Sequence, residues 1–148
     1  MDHKRAFWMN FIIVVALIAG VTFYQIFGGG SSASFTLEAD HLSFCGPDPA
    51  EFTVTVLFED IASIEFREEL DQGSCVSGEA GKTYTYGIWE NEEFGRYSLY
   101  RLTKVESCIV LTETDGDIIV FNIENAKTTE EFSKSLSEYL QELEQPTS

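Results

Sequence analysis

The chain has 148 residues, 25 of them acidic and 9 basic, for a formal charge of −16. Such a balance excludes a nucleic-acid-binding surface and disfavours anionic lipid headgroups, because like charges repel within about 8 Å at physiological salt. With two histidines and three cysteines it also leaves little material for a zinc or Cys-x-x-Cys redox centre.

The first element is an apolar run. Residues 1–5 carry His3, Lys4 and Arg5, and no charged residue occurs from Ala6 to Phe27. A helix over 6–27 would rise about 33 Å against a hydrocarbon layer of about 30 Å. The spacing predicts a transmembrane helix with aromatic rings (Phe7, Trp8, Phe23, Tyr24) near both interfaces. Lys4 and Arg5 predict a single-pass orientation with the N-terminus cytoplasmic and the domain extracytoplasmic. A cleaved signal peptide is the alternative, with small residues at Ser31-Ser32-Ala33. Residues 28–33 read as a Gly/Ser linker.

Residues 34–148 then form one acidic domain, in which 24 acidic against 7 basic residues give −17. Solubility explains the charge, and a halophilic adaptation is the alternative. Alternating apolar residues predict strands at 34–44, 52–58 and 61–67, with a Pro-rich turn over 45–49. The polar stretch 68–81 reads as a long loop. Further strands are expected at 82–90, 96–102, 107–112 and 117–123, the last two joined by the Asp115-Gly116 hairpin turn. Thr128 with Glu131 fits a capping box opening a helix. Its apolar stripe is Phe132, Leu136, Tyr139, Leu140 and Leu143.

The segment Phe58-Glu59-Asp60-Ile61-Ala62-Ser63-Ile64-Glu65 resembles the aromatic-x-Asp-Ile-x-x-Ile-x junction of bacterial pleckstrin-homology-like domains. Tyr86-Gly87 through Phe94-Gly95 and Ile118–Asn122 are similar to that family's pattern. The resemblance implies a mainly-β domain, a seven-stranded antiparallel barrel capped by the C-terminal amphipathic helix, behind the membrane helix. It implies a non-catalytic binding or assembly module with a protein partner in the membrane or envelope. It does not extend to phosphoinositides, since the loop 45–51 holds Asp48 and Glu51 and no cation.

Candidate sites are few. No catalytic, cofactor or metal residues are assigned, and with His41 the one histidine in the domain no Ser–His–Asp set can be built. Trp89 and Phe94, if exposed, would anchor a partner protein. Cys45 and Cys75 are the candidate disulfide, with Cys108 the alternative partner. Glu113, Asp115 and Asp117 could hold Ca²⁺, although hairpin turns favour Asp without any ion. Glu90, Glu92 and Glu93 near Trp89 are expected to be a solvated turn, with paired carboxylates for acid–base work the alternative. The alternative function is a ligand- or Ca²⁺-binding sensor or carrier, using a barrel-mouth pocket or these acidic turns.

Overall fold

The computed structural model describes residues 34–38, 40–45 and 53–144. They form β1 (Ser34–Leu37), β2 (His41–Cys45), β3 (Thr53–Leu57), a 3-10 turn (Phe58–Asp60), β4 (Ile61–Arg67), β5 (Ser74–Ala80), β6 (Tyr84–Asn91), β7 (Gly95–Leu102), β8 (Cys108–Glu113), β9 (Ile118–Phe121) and α1 (Ala126–Glu144). The strands make two sheets, ordered β1-β2-β3 and β4-β8-β9-β7-β6-β5.

Composition explains which strands are central. β8 (CIVLTE) and β9 (IIVF) are near-continuous apolar runs, the pattern of strands covered on both faces. Ile109, Leu111, Ile119 and Phe121 point into one core, which the three-stranded sheet and α1 close with Leu42, Phe44, Val56, Phe132 and Leu136. Phe44 lies 4.8 Å from Phe121 and 5.3 Å from Tyr100, ring centroid to centroid. The alternate residues Cys108, Val110 and Val120 join Trp89, Tyr97 and Leu99 in a second core on the opposite face.

Residues 68–73 are the lid of that second core. They leave the end of β4 at one edge of the large sheet and reach the start of β5 at the other. Leu70 packs on the core. Gln72 O accepts the Tyr97 hydroxyl at 2.7 Å, Gln72 Oε1 accepts Arg101 Nη1 at 2.7 Å, and Asp71 O accepts Asn91 Nδ2 at 2.7 Å. The same traverse shows how strongly the sheet coils. By register Arg67 and Glu93 belong to diagonally opposite corners, which a flat sheet would hold about 30 Å apart. Yet Arg67 Nη1 donates to Glu93 Oε2 at 2.6 Å, and its guanidinium sits 5.3 Å above the Phe94 ring.

Several expectations are corrected. The closed, all-antiparallel, seven-stranded barrel is instead an arrangement of two sheets containing nine described strands. The larger sheet is open, ends at β4 and β5, and contains a parallel pair, β7 with β9. Two local causes account for the difference. The expected strand 34–44 turns back on itself, with Glu38 N–H bonded to His41 O at 2.9 Å, and becomes the β1–β2 hairpin. The expected loop 68–81 contains β5, which buries no side chain and so carries no apolar alternation to reveal it.

The β8–β9 hairpin then inserts β9 between β8 and β7, which makes the parallel contact. The helix starts at Ala126, earlier than the Thr128 cap. Asn125 Oδ1 accepts the Thr128 N–H at 2.9 Å and is the actual cap. The expected membrane helix over 6–27 and the linker over 28–33 lie outside the described residues. Among the described residues no helix is long and apolar enough to cross a membrane.

Candidate functional site

β5 is the feature with the most unsatisfied chemistry. All seven of its residues are exposed, and among the described residues it is hydrogen-bonded on one side only, to β6. Its sequence, SCVSGEA, includes one charge, Glu79, and neither lysine nor proline. Those are the residues that usually protect an open edge. The ladder to β6 has one irregularity between Cys75 and Ser77, which makes Val76 the extra residue. Among the described residues Val76 is, with Leu57, one of two large apolar side chains left in solvent, at 42% exposure.

The strand keeps its place through its neighbours rather than through burial. The 68–73 lid fixes its start, and Gly73 N–H bonds to Asp71 Oδ1 at 3.0 Å as the chain turns in. At its centre Gly78 lies opposite Gly87. At its end Gly81 N–H donates to Tyr84 O at 2.9 Å. Alternation along an antiparallel strand therefore turns the N–H of Ala80 to the outer side. Among the described residues nothing pairs with that outer side. A strand that buries none of its own side chains gains little from the hydrophobic effect, and a lone hairpin is marginal in water. An added strand would complete it.

The acidic turn is real but locally explained. Glu113, Asp115 and Asp117 place ligand oxygens within 4.8 Å of one another, a set able in principle to hold a hard cation. The turn itself uses these residues. Asp115 Oδ1 accepts the Asp117 N–H at 2.9 Å, and Glu113 exchanges backbone bonds with Asp117 and Gly116 at 2.8 and 3.0 Å. Partial burial, and then Asp115, Asp117 and Asp60, raise the Glu113 carboxyl above the usual glutamate range. Beside it, where β9 stops short between β7 and β8, a cavity of about 260 Å³ is lined by Val54, Ile88, Arg96, Glu113 and Asp117 among others. It lacks the apolar enclosure of a ligand site. A wider groove of about 580 Å³ beside the start of α1 mixes Lys104 and Lys127 with Glu68, Glu106 and Glu130, so its charges offset one another.

The aromatic pair is not an exposed anchor. Trp89 is 4% exposed, lies in the second core, and donates from Nε1 to Tyr86 O at 3.1 Å. Phe94 is half-buried, set edge-on to Tyr97 at 5.4 Å and beneath Arg67. Of the other turn carboxylates, Glu93 is held below the usual range by Arg67, and Glu90 lies 3.5 Å from Arg96.

The cysteines are not joined either. Cys45, Cys75 and Cys108 are free thiols. The expected Cys45–Cys75 bridge assumed a simple meander with both residues in loops opening at one end. Cys45 instead closes β2, opposite Thr53, and Cys75 lies inside β5, opposite Trp89. Cys108 is buried in the second core, which pushes its thiol up to about 11.

Sequence reasoning missed the β5 edge because no side chain of that strand is selected for burial. The one available signal was the lack of Lys and Pro in a stretch too long for a plain turn. No family model, no curated protein and no solved structure matches the chain.

Proposed function

We propose that residues 34–144 form a non-catalytic binding domain that takes up an extended segment of a partner protein as an additional strand on β5. The observation that carries this reading is an edge strand exposed along all seven residues, with its outer side unpaired among the described residues. Strand addition draws its affinity from main-chain hydrogen bonds, which is what such an edge offers. The uncharged stretch 6–27, with Lys4 and Arg5 before it, supports a domain held at a membrane with its acidic part on the extracytoplasmic side. A partner in that membrane or its envelope follows.

A cation or ligand sensor is the weaker reading. Of its three carboxylates Asp115 is used by the hairpin turn itself, and the adjoining cavity is small and charged.

A photo-reactive amino acid placed at Val76 in the full-length protein in cells tests the proposal. The expected result is a cross-link to one partner from Val76 and none from the same probe at Glu138, on the exposed side of α1. Equal capture at both positions would remove the β5 edge as the docking place.

A further inference from the structure

The charges around β5 select what can dock there. Between Glu68 and Glu93 the chain carries seven carboxylates (Glu68, Glu69, Asp71, Glu79, Glu90, Glu92, Glu93) against one lysine, Lys82. They are not spread evenly along the edge. Asp71 and Glu90 flank its start, since Ser74 pairs with Glu90, although Glu90 is offset by Arg96 at 3.5 Å; Glu79 stands near its end, with Lys82 two residues beyond the strand. The stretch between, Ser74–Gly78, carries no charge. Glu79 is exposed and has no ion-pair partner among the described residues. The edge therefore has a neutral centre that can read only backbone, and near each end one carboxylate with no ion pair among the described residues, Asp71 and Glu79, that can read sign.

We infer that the segment docking on β5 is basic: an extended peptide of about five to seven residues, matched to the strand's length, with lysine or arginine at or just beyond its ends. This inference rests on the proposed strand addition and narrows it. An acidic segment would form the same ladder but be repelled by the end carboxylates and by the −17 charge of the domain, and a neutral one would gain nothing from them. A second copy of this chain is disfavoured for the same reason. Antiparallel pairing of two β5 strands would bring Glu79 of each copy against Asp71 and Glu90 of the other, and parallel pairing would set Glu79 against Glu79.

Two probe peptides test the inference on the purified full-length protein. Both are nine residues long and alternate threonine and valine; one carries lysine at each end, the other glutamate. Binding is followed by calorimetry, and the docking place by amide exchange across Ser74–Ala80. The lysine peptide is expected to bind about tenfold or more tighter than the glutamate peptide, to lose most of that margin in about 0.5 M salt, and to slow exchange of the Ala80 amide. The Glu79→Lys variant, a change at an exposed position, is expected to cut the lysine peptide's affinity about three- to tenfold and leave melting unchanged.

Equal binding of the two peptides with β5 protected would overturn the basic preference and leave strand addition standing. Binding of the lysine peptide without protection of β5 would overturn the inference, since it would then be adsorption to a charged surface. Binding of neither, or a β5-mediated dimer in sedimentation, would also overturn it. Cross-linking at Val76 then separately decides whether any partner uses the edge.

Discussion

Gly78 and Gly87 face each other across the β5–β6 ladder so closely that neither position has room for a side chain. A Cβ on Gly87 would lie 2.1 Å from Ser77 O, and one on Gly78 would lie 2.2 Å from Tyr86 O. Both residues also hold φ in the left-handed half of the map, +138° and +114°. The two strands are thus held by backbone approach where packing is absent. Gly87→Ala is expected to cost about 1–3 kcal/mol from the strained backbone, with the clash adding to it. The loss should appear first as fast amide exchange in β5 while β8 and β9 stay protected. Uniform loss of protection throughout the large sheet would mean that β5 is part of the core.

Asn122 predicts the opposite pattern. It is buried, its Oδ1 accepts the Leu102 N–H at 2.7 Å, and its Nδ2 donates to Val105 O at 2.9 Å and Ser107 O at 3.1 Å. These bonds hold the 103–107 connection that carries the chain from β7 to β8. Asn122→Ala leaves those carbonyls and one N–H unpaired in the interior and is expected to cost about 2–4 kcal/mol in global denaturation. Asn122→Asp, which keeps the acceptor but sets a buried carboxylate against the Val105 and Ser107 carbonyls, should cost at least as much near pH 7.

Glu113 gives a prediction that depends on pH. Its folded carboxyl titrates above the ordinary glutamate value, from partial burial and then from Asp115, Asp117 and Asp60. A raised carboxyl pKa means the folded state binds the proton more tightly than the unfolded one. Its ionised form therefore costs stability once pH rises above its folded value, and the cost vanishes below the unfolded value near 4.3. Glu113→Gln is expected to raise the melting temperature near pH 7 by the equivalent of less than about 1 kcal/mol, solvent screening limiting the gain. Wild type and variant should converge below about pH 4. A gain that persists unchanged in acid would assign the effect to packing.

The cysteines differ in reach. Cys75 is exposed on β5, Cys45 is half-buried, and Cys108 is enclosed with its thiol pushed up to about 11. Under native conditions and mildly alkaline pH an alkylating reagent is expected to modify Cys75 first and Cys108 only after unfolding. Intact mass with and without reductant should be the same for the monomer. A two-dalton difference would restore a bridge between two of these thiols.

How far the sequence foretold this molecule follows from what each segment buries. The apolar runs at Ile109–Leu111 and Ile118–Phe121 and the stripe Phe132, Leu136, Tyr139 appear where side-chain pattern places them because each packs against a core, and the Asp115-Gly116 turn appears because local turn chemistry fixes it. Topology was less legible. That β9 enters between β8 and β7 is a long-range pairing decision, and both faces of these strands being apolar gives alternation nothing to report. β5 was illegible for the converse reason, since it buries nothing. The candidate site inherits that blindness. Trp89 drew attention as an aromatic and proves to be core, whereas Val76, an ordinary residue, stands out in solvent on a strand that buries nothing.

The claim at the centre of this account is that the outer side of β5 is free in the protein by itself. Site-resolved hydrogen exchange on the purified, monomeric full-length chain reads it directly. The account predicts that the Ala80 amide exchanges near the unfolded rate while the β6 amides that bond β5 and β7 are protected. An Ala80 amide as slow as those of β6 would show that the edge is already occupied within the chain, and would contradict the role proposed for it.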